Sequence, residues 1–236
     1  MRLPLSALLF LGLAAAQVQP QAAQLLERAR QAHGGAALQG LRTYQETATI
    51  KTFVNGQLET QTRVVSYVDF LSQRLRLEYY DQEVLIQVVQ VSPTEGIRWS
   101  QVGGLEDVRG GELTELRNGL NQTWYGLRFG GGGRQTARVL GQQTFQGVRG
   151  LGVEVQTRGA KTAYLLGAQN QLLAERYRSG ADTLTVLYSD IRAVAGLRLP
   201  FAAKLYSNGE LFAETQVTAA RVNPAFSAQT FRPPNN

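Results

Sequence analysis

The sequence predicts an α+β protein that is mainly β: a curved antiparallel sheet, or incomplete β-barrel, with helices covering its concave face. Most of the chain beyond residue 43 alternates apolar and polar residues with the period of two that strands require. Asn-Gly pairs at 55–56 and 208–209 separate such runs, and Asn-Gly is typical of two-residue hairpin turns. Two amphipathic helical segments each precede a set of strands.

The first half of the chain contains one helix and one strand set. Residues 22–32 place Leu25, Leu26, Ala29 and Ala32 on one side of a helix, and Gly34 follows where a C-terminal cap is expected. The predicted strands are 43–54, 59–70, 74–80, 83–91 and 95–101.

The second half repeats this arrangement. A stripe of apolar residues with helical spacing predicts a second helix: Leu113, Leu116, Leu120, Trp124 and Leu127. Gly119 weakens that helix by about 1 kcal/mol relative to alanine, and the glycines at 130–133 form a linker. The predicted strands are 135–145, 148–158, 160–166, 171–178, 182–192, 197–206 and 211–222.

Residues 1–16 have the layout of a secretory signal peptide. Arg2 supplies a positive charge, residues 3–13 are mostly apolar, and Ala14-Ala15-Ala16 offers a small-residue cleavage site. The apolar stretch is too short to span a bilayer. We therefore expect an exported protein of the periplasm or cell envelope, whose mature part, residues 17–236, is a single soluble domain.

Composition argues against several kinds of active site. The absence of cysteine excludes disulfides, thiolate metal sites and a cysteine nucleophile. His33 is the single histidine, and its place beside two glycines at the end of the first helix favours a capping or surface role over catalysis or metal binding. The carboxylates show no spacing specific to catalysis. We expect no cofactor, no metal and no catalytic residue, and hence a protein that is not an enzyme.

The excess of basic over acidic residues in the chain indicates anionic partners. Lysine and arginine number 24 against 18 acidic residues, which gives a formal net charge of +6. Such a surface favours phospholipid headgroups, acidic polymers or acidic proteins, so an anionic membrane surface is a candidate partner. Nucleic acid is not expected, because the chain carries an export signal and no nucleic-acid-binding motif.

Motifs at both ends of the chain resemble one protein family. The order Tyr188-Ser189-Asp190-x-Arg192, Gly196-x-x-Leu199-Pro200-Phe201, Asn208-Gly209, Val217-Thr218, Val222-Asn223-Pro224 and Phe231 resembles the C-terminal part of the outer-membrane lipoprotein-sorting, or lipoprotein carrier-like, family in its broad sense. Leu26-x-x-Ala29-x-x-Ala32-His33-Gly34-Gly35, followed by Leu38, Leu41 and Tyr44, resembles the opening of the same family. The middle of the chain resembles the family only in its succession of predicted strands and turns.

The resemblance implies an incomplete barrel that encloses a hydrophobic cavity and shuttles the acyl chains of lipoproteins across the periplasm. Exposure of an acyl chain to water costs about 0.8 kcal/mol per CH₂, so an aqueous carrier needs an apolar cavity. Such exchange needs no catalytic residue. The implied function is a carrier or binder of lipid or acylated lipoprotein.

The alternation of apolar and polar residues along the strands also predicts which residues line a candidate ligand-binding cavity. Its lining is the apolar face of several strands: Ile50, Leu75, Leu77, Val153, Val155, Leu197, Leu199, Phe201 and Leu205. The second helix contributes a candidate lid, Leu116, Leu120 and Trp124, whose flanking glycines would let it move. The same apolar stripe could instead be ordinary core that packs against the sheet. The two interpretations are compatible, since a lid also packs against the sheet when it is closed.

Two other functions also remain open. On the same fold the protein could be a non-enzymatic module that holds or senses an envelope protein through a sheet edge or its basic face. An enzyme acting on envelope lipids or glycans would need a carboxylate pair that the sequence does not single out. We expect a monomer.

Overall fold

The computed structural model describes residues 18–132, 136–157 and 160–234, so the predicted signal peptide lies outside the described residues. Three α-helices are present in the described chain: α1 (Pro20–Ala32), α2 (Ala36–Gln39) and α3 (Gly110–Gly119). Two short 3₁₀ helices, Trp124–Phe129 and Ala228–Phe231, accompany them.

The strands cover most of the rest of the described chain. They are β1 (Thr43–Val54), β2 (Gln57–Asp69), β3 (Arg74–Asp81), β4 (Val84–Val91), β5 (Gly96–Ser100), β6 (Gly104–Asp107), β7 (Thr136–Phe145), β8 (Val148–Thr157), β9 (Ala160–Leu166), β10 (Leu172–Ser179), β11 (Asp182–Val194), β12 (Leu197–Ser207) and β13 (Glu210–Val222). All 13 belong to one sheet, in the order β6-β5-β4-β3-β2-β1-β13-β12-β11-β10-β9-β8-β7.

Every neighbouring pair in the sheet is antiparallel, and the sheet does not close on itself among the described residues. Two meanders, β1–β6 and β7–β13, are joined in the middle by the pairing of β1 with β13. The predicted architecture, a mainly β protein built on an open antiparallel sheet, is confirmed.

The hairpin turns form where the sequence predicts them. Asn55 and Gly56 have φ angles of 52° and 75°, and Asn208 and Gly209 have φ angles of 50° and 95°. A type I′ turn needs positive φ at both central residues, which asparagine tolerates and glycine adopts freely. These turns fix the registers of β1 with β2 and of β12 with β13.

Helix α1 covers the concave face. It begins at Pro20, whose missing N–H would have no partner in a first turn, and its buried side is Ala22, Leu25, Leu26 and Ala29. These side chains belong to the core cluster that also contains residues of β1, β8, β9 and β12. The predicted helix is confirmed, with its start two residues earlier than expected.

The second predicted helix is interrupted. Residues 113–127 were expected to form one helix, but α3 ends at Gly119 and the 3₁₀ helix begins at Trp124. Thr123 between them has φ +58° and ψ −169°, a conformation that no α-helix accepts. Strand β6 is a further element that the sequence did not predict.

The C-terminal segment of the chain covers the convex face at β2 and β3. Phe226 packs edge-on against Tyr67 of β2 with ring centroids 5.8 Å apart, and Phe231 packs against Phe226 at 5.7 Å. Arg76 donates to the carbonyl of Arg232 at 2.7 Å.

Candidate functional site

One end of the concave face is filled by side chains. Tyr44 of β1 packs edge-on against Trp124 at 5.2 Å and against Tyr125 at 5.9 Å. Leu26 of α1 and Leu127 are fully buried in the same cluster. This part of the concave face is a packed core that leaves little room for a ligand.

Helix α3 covers the other end without being packed into it. None of its residues is buried, which is unusual for a helix that lies over an apolar sheet face. Polar contacts hold it instead: Glu112 forms an ion pair with Arg98 of β5, and Arg117 donates to the Ser92 carbonyl at 2.8 Å. On the opposite side, the Ser179 hydroxyl donates to Glu115 at 2.6 Å.

A cavity of about 390 Å³ lies beneath α3. Its apolar lining comes from Leu75 of β3, Leu116 of α3 and Leu184 of β11, and Tyr177 of β10 adds an aromatic ring. A neighbouring recess of about 430 Å³ shares Tyr177 with it. Cavities of 300–1,000 Å³ are the usual size of small-molecule sites.

The cavity exists because the sheet is curved. Strands β3 and β10 are six positions apart in the sheet order, which would separate them by about 29 Å in a flat sheet. Leu75 and Tyr177 nevertheless line one cavity. The two arms of the sheet therefore bend toward each other, and α3 bridges the gap between them.

The predicted lining residues fall into three groups. Leu75 lines the cavity beneath α3. Ile50, Leu77 and Leu205 are half-buried and lie outside the packed core cluster. Five others are buried in that cluster: Val153, Val155, Leu197, Leu199 and Phe201.

The predicted lid residues are likewise divided. Leu116 lies on α3 and lines the cavity. Leu120 and Trp124 lie beyond the end of α3 and are buried in the core cluster, with 3% and 6% exposure. Placing all three on one helix was wrong, because the helix ends before Leu120 and Thr123 turns the chain.

His33 joins three elements. Its Nδ1 lies 2.7 Å from the Arg198 carbonyl, which can only accept, so Nδ1 carries the proton and Nε2 accepts the 2.9 Å bond from the Leu172 N–H. The expected capping role is confirmed, since His33 caps α1. The expectation of a surface position was wrong, because the ring is 2% exposed. Burial lowers the pKa of His33.

Two glutamates lie among the tyrosines of the concave face. Tyr44 donates to Glu46 at 2.9 Å, and burial raises the pKa of Glu46. Glu175 of β10 is 0% exposed, and neither of its carboxyl oxygens has a hydrogen-bond partner among the described residues. Burial raises the pKa of Glu175 to about 8, and the nearby Tyr188 hydroxyl, which does not reach hydrogen-bond geometry, opposes this rise.

Sequence reasoning missed Glu175 because of a strand irregularity. The pairing of β9 with β10 shifts between Leu172 and Ala174, so Leu173 interrupts the alternation. Counting by twos from Leu172 would bring Arg176 to the concave face. The shift brings Glu175 there instead, and only long-range pairing reveals it.

The described residues contain neither a metal-binding cluster nor a membrane-spanning helix. No group of three or more histidine, aspartate or glutamate side chains there is arranged to hold a metal ion. None of the helices in that part of the chain has the length and hydropathy needed to cross a lipid bilayer.

Solved structures share this architecture at low sequence identity. A DUF1329 family protein from Desulfovibrio piger superposes with a TM-score of 0.66 at 9% identity, covering 92% of this chain and 98% of its own. A LolA superfamily protein from Nitrosomonas europaea gives 0.60 at 10% identity, covering 90% and 97%. A domain from Vibrio parahaemolyticus named for outer membrane lipoprotein sorting gives 0.57 at 12% identity, covering 87% and 95%.

No protein-family model and no curated protein matches the sequence. Because the identities are so low, the structural likeness speaks to the fold alone. The chain therefore has a LolA-like fold, and the family resemblance of its end motifs is confirmed at that level.

Proposed function

We propose that this protein binds the acyl chain of a lipid or of an acylated lipoprotein in the cavity beneath α3 and carries it in the periplasm. The single observation that carries the proposal is the cavity of about 390 Å³ between the two arms of the sheet, lined by Leu75, Leu116 and Leu184. The apolar part of this lining offers an acyl chain a surface away from water, and the rest of the lining is polar: Glu112, Glu115, Asn118, Gln122, Arg178 and Ser179.

The attachment of α3 supports a reversible opening. A helix with no buried residue gains little from packing, so polar contacts at its two sides decide whether it stays closed. Ion pairs and hydrogen bonds of exposed groups are each worth about 1 kcal/mol or less, so such contacts can break and re-form readily. In this proposal α3 moves aside to admit the chain and returns to cover it.

The proposal also covers export, domain organisation and the absence of catalysis. Residues 1–16 direct export, residues 17–236 act as one monomeric domain, and binding and release require no chemistry and therefore no catalytic residue. The LolA-like fold is consistent with this role, since one of the similar structures is named for lipoprotein sorting.

The test is native mass spectrometry with lipid extraction on protein purified from its own envelope without detergent. A stoichiometric acylated ligand is expected. In a second arm, a fluorescent fatty-acid probe is titrated into wild type and Leu116→Glu, which places a charge in the cavity wall; we expect at least tenfold weaker binding for the variant.

The matched control is Val102→Glu, because Val102 is 100% exposed in the turn between β5 and β6. This variant should bind the probe as wild type does. An empty native protein that also fails to bind the probe would refute the carrier function, and would favour an interaction module on the same fold.

A further inference from the structure

Glu175 is a buried carboxyl group on the concave face. It pairs with Tyr164 of β9 and with Val186 of β11. Directly opposed residues in antiparallel strands point to the same side of the sheet. Tyr164 donates its hydroxyl proton to the Thr123 carbonyl beside the 3₁₀ helix 124–129, so this side is the concave one.

The Tyr188 hydroxyl lies close to the carboxyl group of Glu175 but does not meet it in hydrogen-bond geometry. The side chain of Glu175 is 0% exposed, and neither carboxyl oxygen has a partner among the described residues. The large majority of buried polar side-chain atoms do find a partner, so each exception calls for an explanation. A bound ligand that supplies the partner is such an explanation.

Glu175 is two residues along β10 from the cavity wall and is not itself among the residues that line the cavity. Tyr177, two residues further along the same face of β10, lines the cavity beneath α3, as does Leu184, which pairs with Tyr177. Residues two apart on a strand are separated by about 7 Å. On this face of β10, Glu175 is the residue that follows Tyr177 in the direction away from the cavity.

We propose that Glu175 is a ligand-binding residue whose uncharged carboxyl group donates a hydrogen bond to an ester or amide carbonyl attached to the acyl chain. This inference rests on the proposed carrier function and deepens it. The ligand class is an acyl ester or acyl amide, in which the carbonyl adjoins the hydrocarbon. A plain hydrocarbon or an ether lipid offers no such carbonyl.

The protonation state required by the proposal agrees with the environment. Burial raises the pKa of Glu175 to about 8, so the carboxyl keeps its proton at neutral pH and can donate. The titratable groups that face it are tyrosines: Tyr164 on β9, Tyr177 on β10 and Tyr188 on β11. Above pH 8 the proton is lost and the group can no longer donate to a carbonyl.

The experiment compares two ligands that differ only in the carbonyl, 1-monolauroylglycerol and its ether analogue 1-O-dodecylglycerol, by calorimetric titration of the whole chain. Wild type at pH 7 should prefer the ester roughly tenfold, and this preference should disappear at pH 9. Glu175→Gln, which keeps an N–H donor, should retain the preference at both pH values. Glu175→Leu should bind both ligands equally.

Glu59→Gln is the matched control, because Glu59 is exposed on β2, and it should behave as wild type. Equal ester preference in wild type and Glu175→Leu would overturn the inference while leaving the carrier function intact. Tighter binding of dodecylamine than of the ester would overturn it too, because an ionised Glu175 would then be pairing with a cation. Failure of every variant to bind either ligand would refute the carrier function and the inference with it.

Discussion

The hydroxyl of Ser179 donates a 2.6 Å hydrogen bond to the carboxylate of Glu115, and this bond links α3 to the end of β10. On the other arm, α3 is held through Glu112 and Arg117. The covering helix is thus attached to both arms by groups that lie near solvent. Its closure depends on a few weak contacts.

Removing one of these contacts should loosen the cover. Ser179→Ala eliminates the bond to Glu115, which is worth about 0.5–1.5 kcal/mol. We expect a bound fluorescent fatty acid to dissociate roughly 2–10 times faster, with the free energy of unfolding lowered by no more than about 1.5 kcal/mol. Stopped-flow dilution measures the rate. Ser189→Ala, an exposed serine on β11, is the control, and equal rates for the two variants would argue against α3 as a gate.

The buried imidazole of His33 should matter for stability. His33→Ala removes two hydrogen bonds and leaves the buried N–H of Leu172 without its acceptor. We expect a loss of about 2–4 kcal/mol in urea denaturation at pH 7.5. A loss below about 1 kcal/mol would mean that the ring does not join α1 to β10 and β12 in solution.

The same histidine should make stability depend on pH. Because its pKa is lowered in the folded protein, the unfolded chain binds the proton more readily. Its contribution is fully present above about pH 6.5 and is lost as the pH falls toward the folded-state value. The stability difference between wild type and His33→Ala, measured by urea denaturation, should therefore shrink as the pH falls from 7.5 to 5.

Glu175 should have the opposite effect. Its pKa is raised to about 8, so the folded state holds a proton that the unfolded state releases above about pH 4.5. The contribution of Glu175 to the stability of wild type should therefore fall as the pH rises from 4.5 to 8. Glu175→Gln should remove this slope and gain on the order of a few kcal/mol relative to wild type by pH 8. Parallel stability curves for the two proteins would contradict the assignment.

Gly34 is the glycine whose replacement should be most costly near α1. Its φ is +124°, and a Cβ there would lie 2.7 Å from the Gly196 carbonyl oxygen. We expect Gly34→Ala to lower the free energy of unfolding by about 2–4 kcal/mol. Gly111→Ala in α3 is the control, since no atom lies within 4 Å of that Cβ, and it should be neutral or stabilising by up to about 1 kcal/mol. Equal losses in the two would contradict the close approach.

Local patterns predicted the elements of the fold well, because alternation and turn chemistry are local signals. The hairpins at Asn55 and Asn208 and the buried side of α1 follow directly from the sequence. The break at Thr123 does not, since tertiary packing of Trp124 against Tyr44 overrides a continuous helical stripe.

The candidate site was harder to predict than the fold. Leu75 and Leu116 do line the cavity, but Val153 and Leu199 share their alternation pattern and are core residues instead. Alternation identifies the face of a strand, whereas the position of α1 decides which part of that face is filled. To predict that Glu175 lies on the concave face, one would have to know of the irregularity at Leu173. That irregularity depends on the pairing between β9 and β10.

The pairing of β1 with β13 has a consequence for how the chain folds. Tyr44 pairs with Val222, so the central contact of the sheet joins residues from distant parts of the sequence, while each meander is built from neighbouring hairpins. Local hairpins close small loops quickly, and contacts of high sequence separation form slowly. The β1–β13 ladder should therefore be the rate-limiting assembly step, and until it forms two long unpaired edges are exposed to aggregation during refolding.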